Sequence, residues 1–239
     1  MAFNKDAHSD HISQQFNQEL ETIKTHMMTM GGLVEKQLSD AIQGLLEGNS
    51  ELGEQARKND QVTNEWELNI EEQCTNIIAR RQPAASDLRL IVAISRAVND
   101  LERIGDEAAR IGKFAVTLAE ARDSQRGYSE VRHISSLVSG MLHDALNAFT
   151  RYDTELAYQV ASKDKEVDEE YTSAMRSLAT YMMEDPRSIT RTLNVIWVLR
   201  SLERVGDHAR NICQHLIYLV KGVNVSHSTL TQLKTTIEQ

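Results

Sequence analysis

Turn-forming residues are scarce in this chain. It has 2 prolines and 11 glycines among 239 residues, where average usage of about 5% and 7% would give roughly 12 and 17. An all-β fold needs many tight turns, and too few residues here supply them. Aromatic residues make up only 5%. The two cysteines, Cys74 and Cys213, are far apart and form no C-x-x-C, the pattern of two reduced thiols rather than a disulfide framework. Basic residues number 26 against 35 acidic, a formal net charge of −9, so the surface lacks the positive charge a general nucleic-acid binder needs. Long apolar runs are missing as well. Leu90–Ile94, Val195–Leu199 and Leu216–Val220 span five residues each, and a membrane helix needs about 20. The N-terminal stretch Met1–Phe16 is polar, without a signal-peptide core. These absences predict a cytoplasmic chain with no nucleic-acid partner and no membrane insertion, docking at a membrane only through other proteins.

What is present is helical patterning. Breakers fall at Gly48-Asn49-Ser50, Arg81-Gln82-Pro83, Asp123–Gly127, Tyr152-Asp153-Thr154 and Glu184-Asp185-Pro186. The intervals predict six helices, over 9–47, 51–80, 85–122, 128–151, 154–183 and 188–220, with Ser50 as an N-cap. Leu101, Ile104, Ala108, Ile111, Ala115 and Leu118 follow a 3,4 spacing, as do Leu202, Val205, Ala209, Ile212, Leu216 and Leu219, each an apolar stripe of an antiparallel bundle. The segment 223–239 is polar and expected to fray.

The strongest signal is an internal repeat. Leu101–Gly112 recurs as Leu202–Cys213, with seven of twelve pairs identical at an offset of 101. Asp40-Ala41 and Glu51-Leu52 recur at an offset of 104, while Ala56, Lys58, Val62, Glu65 and Trp66 match Ala161, Lys163, Val167, Glu170 and Tyr171 at 105. The expected fold class is all-α: two similar three-helix bundles, 9–122 and 128–222, side by side or related by a pseudo-twofold.

Within the repeat, Glu102 and Asp106 are four residues apart on one helix face, and Glu203 and Asp207 repeat them. Like charges at this spacing cost a few tenths of a kcal/mol, and Gly105 and Gly206 inside the helices cost about 1 kcal/mol each relative to Ala. A hard cation between the carboxylates would offset the repulsion, and the glycines would let a neighbour approach. Reflection of Glu203 and Asp207 through the turn at Asp185-Pro186 lands on Asp164 and Asp168, giving a four-carboxylate set in the second bundle. Reflection of Glu102 and Asp106 lands near 60 and 64, whereas the 105 offset points to Asn59 and Thr63, neither a carboxylate. The first bundle therefore offers Glu102 and Asp106, with Asp60 or Asn59 as weaker additions and Asp100 nearby. All-oxygen ligands favour magnesium, manganese, calcium or iron over structural zinc. Arg103 and Arg204 are alternative partners for the same carboxylates.

Other motifs are weaker. Glu130 and His133 have the E-x-x-H spacing of di-iron bundles, but a second copy is missing. His8 and His11 lie in a polar terminus. Trp66 and Tyr171 read as packing. No P-loop, dinucleotide fingerprint or nucleophile elbow appears, so the chain is not expected to be an enzyme. A metal-dependent carboxylate-bundle enzyme or metal store stands as the alternative, and a scaffold with arginine-paired carboxylates as a third.

The doubled L-E-R-[IV]-G-D, the stretch Ala79–Arg89, Tyr181–Asp185, His11–Asn17 and Met28–Gly32 together resemble the PhoU family, and its proteobacterial members in particular. The resemblance implies an elongated pair of three-helix bundles, a homodimer, and a regulator rather than a catalyst. It implies negative regulation of the phosphate regulon when phosphate is plentiful, with the phosphate transporter's ATPase subunit and a sensor histidine kinase as partners. It also implies paired carboxylate motifs that bind a divalent metal (Mg, Mn, Fe or Zn). These map onto Glu102/Asp106, Asp164/Asp168 and Glu203/Asp207, with the fourth falling on Asn59/Thr63.

Overall fold

The structure, a computed structural model, describes residues 14–120, 127–226 and 228–238. Residues 9–13, the expected loop at 123–126, and His8 and His11 lie outside the described residues. Six long helices run in chain order: α1 (Gln14–Glu47), α2 (Ser50–Arg81), α3 (Ala85–Glu120), α4 (Tyr128–Arg151), α5 (Thr154–Glu184) and α6 (Ile189–Lys221), followed by a short α7 (Leu230–Glu238). Among the described residues none is in a strand, and no helix is long and apolar enough to cross a membrane.

Local chemistry sets the boundaries. The N-cap of α2 is Asn49, not Ser50: its side chain accepts from the backbone N–H of Glu51 at 3.0 Å and of Leu52 at 3.3 Å, and Gly48 turns the chain at φ 67°. The repeat does the same with Asp153, which accepts from Leu156 at 2.9 Å. Gln82 (φ 48°) closes α2 in the left-handed region before Pro83, and Asp185 caps the 3₁₀ turn of Pro186–Ser188 that leads into α6.

α1, α2 and α3 pack as one bundle, α4, α5 and α6 as the other. The 3,4 stripes of α3 and α6 are buried throughout. These helices also pack on each other, and they cross antiparallel: Arg96 lies against Tyr218, Asp100 against His208 and His215, and Glu107 against Arg204. α1 touches α4 behind them. At that contact a Cβ on Gly31 would lie 2.7 Å from Leu146 Cδ2, so Gly31 marks a close approach within an unbroken helix. The closest approach is between α2 and α3. A Cβ on Gly53 would lie 2.7 Å from the Gly112 carbonyl, and one on Gly112 would lie 2.6 Å from the Gly53 carbonyl. Two Cβ-less faces thus let the backbones meet.

The C-terminal segment does not fray as expected. Val225 and Leu233 are buried, α7 packs on α5 and α6, and Lys221 Nζ donates to the Ile237 carbonyl at 2.5 Å. Val225, Leu233 and the partly buried Ile237, apolar side chains among polar neighbours, anchor it.

Candidate functional site

Each bundle carries a carboxylate-lined groove, between α2 and α3 in the first and between α5 and α6 in the second. Burial fixes how the two correspond. On α2 the buried positions include Gly53, Ala56, Thr63, Ile70 and Cys74; on α5 they include Ala157, Val160, Val167, Ala174 and Leu178. All five match at an offset of 104, the same as the N-caps Asn49 and Asp153. Asp60 is therefore the counterpart of Asp164, and Asn64 of Asp168. The 105 alignment was one residue out of register. Thr63 is in the core, where its hydroxyl donates to Gln37 Oε1 at 3.2 Å, and Asn59 accepts from Gln55 on the exposed side.

In the first groove, Glu102 and Asp106 of α3 face Asp60 and Glu67 of α2. Burial raises the Glu102 carboxyl above its ordinary range, and the charges of Asp106, Glu67 and Asp60 push it further against the pull of Arg103. Asp60 is raised by burial and by Asp106 against the pull of the Gln37 amide. Glu67 is raised by burial and by Glu71, although Asn99 donates to it at 3.2 Å. Arg103 lies along the same helix turn, 3.1 Å from Glu102 and 3.3 Å from Asp106, with half its side chain in solvent. Asp60 Oδ1 and Asn64 Oδ1 are buried without a hydrogen bond. Glu67 is a member that the repeat did not indicate, because its counterpart on α5 is Tyr171; its i,i+7 spacing from Asp60 was the available signal.

The second groove brings together Asp164, Asp168, Glu203 and Asp207, and it also holds arginines. Arg210 Nη1 bonds to Asp164 Oδ2, and Nη2 lies 2.9 Å from Asp207 Oδ1. Arg200 pairs with Glu203 at 2.8 Å. Burial still raises Asp164, with Arg210 pulling it down and Asp207 and Asp168 pushing it up. Glu203 is raised by burial and Asp207, and Asp168 is exposed. Arg204 does not join this set: it crosses the seam to the buried Glu107 at 3.0 Å.

The glycines differ as well. A Cβ on Gly105 would press within 3.0 Å of Thr63 Cγ2, while one on Gly206 would meet nothing closer than Val138 at 3.5 Å. Only the first is held by close packing.

Among the described residues, no group of three or more His, Cys, Asp or Glu side chains is arranged as a ready metal cage. The donors of the first groove fit a hard divalent cation in kind: four carboxylates from two helices, all-oxygen, three of them with raised pKa and two, Asp60 and Glu102, with a buried oxygen lacking a hydrogen bond. In the second groove the place between Asp164 and Asp207 is taken by Arg210.

Between the grooves, the α3/α6 seam buries a polar cluster that periodicity did not single out. Asp100 Oδ1 pairs with His208 Nδ1 at 2.7 Å and accepts from Asn211 at 3.1 Å, while Oδ2 pairs with His215 Nε2 at 2.8 Å. These contacts hold Asp100 below the ordinary carboxylate range against the cost of its burial. The remaining motifs make local pairs. His133 is 3.7 Å from Glu170, and Glu130 accepts from Ser129. Arg81 forms a two-pronged pair with Glu19. Both cysteines are buried and free, and burial pushes the Cys74 thiol up to about 12.

The PhoU domain family model matches residues 27–115 and 131–216, once in each bundle. A phosphate-specific transport system accessory protein PhoU homolog of Pseudomonas aeruginosa is 57% identical over 235 residues, covering 98% of this chain and 97% of its own. The phosphate-specific transport system accessory protein PhoU of Escherichia coli K12 is 46% identical over 220 residues, covering 91% of this chain and 90% of its own. The crystal structure of PhoU from P. aeruginosa superposes with a TM-score of 0.86 at 58% identity, covering 87% of this chain and all of that one. The phosphate transport system regulatory protein PhoU from Streptococcus pneumoniae superposes with a TM-score of 0.81 at 30% identity, covering 88% of this chain and 99% of its own.

Proposed function

The chain belongs to the PhoU family, and from that premise we propose that it is an accessory regulator of phosphate transport. It acts as a cytoplasmic adaptor between the phosphate transporter's ATPase subunit and a sensor histidine kinase, and it keeps the phosphate regulon repressed when phosphate is plentiful. The observation that carries this reading is the family match in both bundles, supported by relatives whose names assign them to the phosphate transport system. Its work is regulatory, not catalytic.

Such an adaptor acts by binding one state of its partners more tightly than another, since a ligand with equal affinity for two states shifts nothing. The fold suits this. The two bundles share one buried seam, and a homodimer would present two copies of each surface to its partners. The α2/α3 groove would hold a divalent cation through Asp60, Glu102 and Asp106, with Glu67 at its edge. When bound, the ion would supply charge neutralisation and a tie between two helices. The chain's own residues set that groove: Gly105 lets Thr63 sit close, and buried Gln37 donates to the Ala56 and Gly105 carbonyls at 2.9 and 3.1 Å, fixing α1, α2 and α3 behind the carboxylates.

Deleting the gene tests the regulatory reading: alkaline phosphatase should become derepressed in phosphate-rich medium, and complementation with the intact gene should restore repression. Normal repression in the deletion strain would refute it.

A further inference from the structure

We propose that Arg210 is a built-in cation that closes the second carboxylate groove to metal, so that this chain takes a divalent ion in its α2/α3 groove alone. The proposal rests on the reading that the first groove is a cation site, and its test separates the two.

The repeat makes the comparison internal. Asp60 and Asp106 of the first groove correspond to Asp164 and Asp207 of the second. In the second groove a guanidinium joins them across two helices, with one nitrogen on Asp164 of α5 and the other on Asp207 of α6. Arg210 reaches there from the helix turn after Asp207, and at the same offset of 101 the first bundle has Ala109. Its methyl carries no charge and ends at Cβ. Arg103 does not replace it, because its contacts run along α3 to Glu102 and Asp106 and its side chain is half in solvent.

A planar fork that meets carboxylates from both sides does what a bound divalent ion does there: it neutralises the pair and ties α5 to α6. It is covalently part of the groove, so its local concentration does not depend on the medium. A metal entering the second groove would have to displace it from Asp164, whose side chain is only 9% exposed, and leave a guanidinium beside the ion. In the first groove an ion meets carboxylates that already repel one another.

The experiment counts Mn²⁺ bound to chelator-treated full-length protein, by titration calorimetry and by native mass spectrometry. One ion is expected for the native sequence. Arg210→Ala should bind two, and Asp164→Asn in that background should return it to one. Ala109→Arg, which transplants the guanidinium, should bind none. Arg210→Gln keeps the side-chain length without the charge and should also gain an ion, and cooperative urea unfolding certifies that each variant is folded. Two ions on the native protein, no gain in folded Arg210→Ala and Arg210→Gln, or an ion retained by Ala109→Arg would each overturn the proposal. An ion-free native protein would refute the reading of the first groove. The role of Arg210 would then stand if Arg210→Ala gained one ion and fall if it gained none.

Discussion

Gly112 of α3 and Gly206 of α6 both sit in helix interiors, and replacing either by alanine adds the same methyl and the same gain in helix propensity, about 1 kcal/mol. The structure assigns them opposite outcomes. A Cβ at Gly112 would lie 2.6 Å from the Gly53 carbonyl oxygen and 3.2 Å from Ala56 Cβ. Ordinary carbon–oxygen contact is roughly 3.2–3.4 Å, so α2 and α3 would have to part by about 0.6–0.8 Å. Both obstructing groups belong to helix walls, which do not rotate away as a side-chain end does. Overpacking of this kind costs about 1–3 kcal/mol, at least the size of the propensity gain, and Gly112→Ala should lose up to about 2 kcal/mol net. At Gly206 the nearest atom is Val138 Cγ1 at 3.5 Å, an ordinary contact, so Gly206→Ala should gain about 0.5–1 kcal/mol. For a chain of this size about 1 kcal/mol shifts Tm by roughly 2–4 °C, so the two variants should separate by several degrees on opposite sides of the native protein. Urea unfolding followed by circular dichroism, with chelator present, gives both values in one series. A stabilised Gly112→Ala, or two shifts of the same sign, would refute the account of α2/α3 packing.

Three further outcomes follow from the same geometry. Asp100→Ala removes the acceptor of His208, Asn211 and His215 at the seam and should cost about 1.5–3 kcal/mol in urea unfolding; a change under about 0.5 kcal/mol would mean the seam does not depend on it. Truncation after Gly222 uncovers the surface that Val225 and Leu233 occupy; at about 1.5–3 kcal/mol per buried aliphatic side chain, Tm should fall measurably, and an unchanged Tm would return the segment to a frayed tail. The carboxyls of Asp60, Glu67, Glu102, Asp164 and Glu203 are all raised in the folded chain. Each therefore contributes stability that is complete below its unfolded value and is lost as pH rises through its folded value. Asp100, Glu19 and Asp185 are lowered and work in the opposite sense, their contributions being lost as pH falls through their folded values, with Glu19 and Asp185 screened by solvent. Metal-free protein should thus grow less stable from the ordinary carboxylate range upward toward neutrality, and urea midpoints that rise steadily over that interval would contradict the crowding of carboxylates in the grooves.

The extent to which the sequence disclosed this molecule depends on how each signal is enforced. The 3,4 stripes of α3 and α6 were legible because a buried stripe has to be apolar along its whole length, and all their residues are buried. The repeat was legible because Leu-Glu-Arg-x-Gly-Asp combines core, groove and packing constraints in one turn and a half of helix. The register of α2 on α5 was harder. Identities such as Lys58/Lys163 and Glu65/Glu170 favoured an offset of 105, but lysines and glutamates on an outer face fit equally well one residue along. Slippage by one residue rotates a helix face by about 100°, which takes Asp60 out of the groove and puts Asn59 in its place. Reflection through the Gln82-Pro83 turn, which uses only that antiparallel neighbours lie equidistant from their connection, had already landed on 60 and 64. Spatial geometry was the sounder guide because it depends on helix rise and not on exposed identities. Arg210 was hidden for a different reason. Its i,i+3 spacing from Asp207 reads as an ordinary surface pair, and only the interhelical contact to Asp164 shows that it reaches across the groove. The asymmetry between the bundles therefore lies in departures from the repeat: Glu67 against Tyr171 and Asn64 against Asp168 change which carboxylates line each groove, and alanine at 109 against arginine at 210 decides whether a cation is already built in.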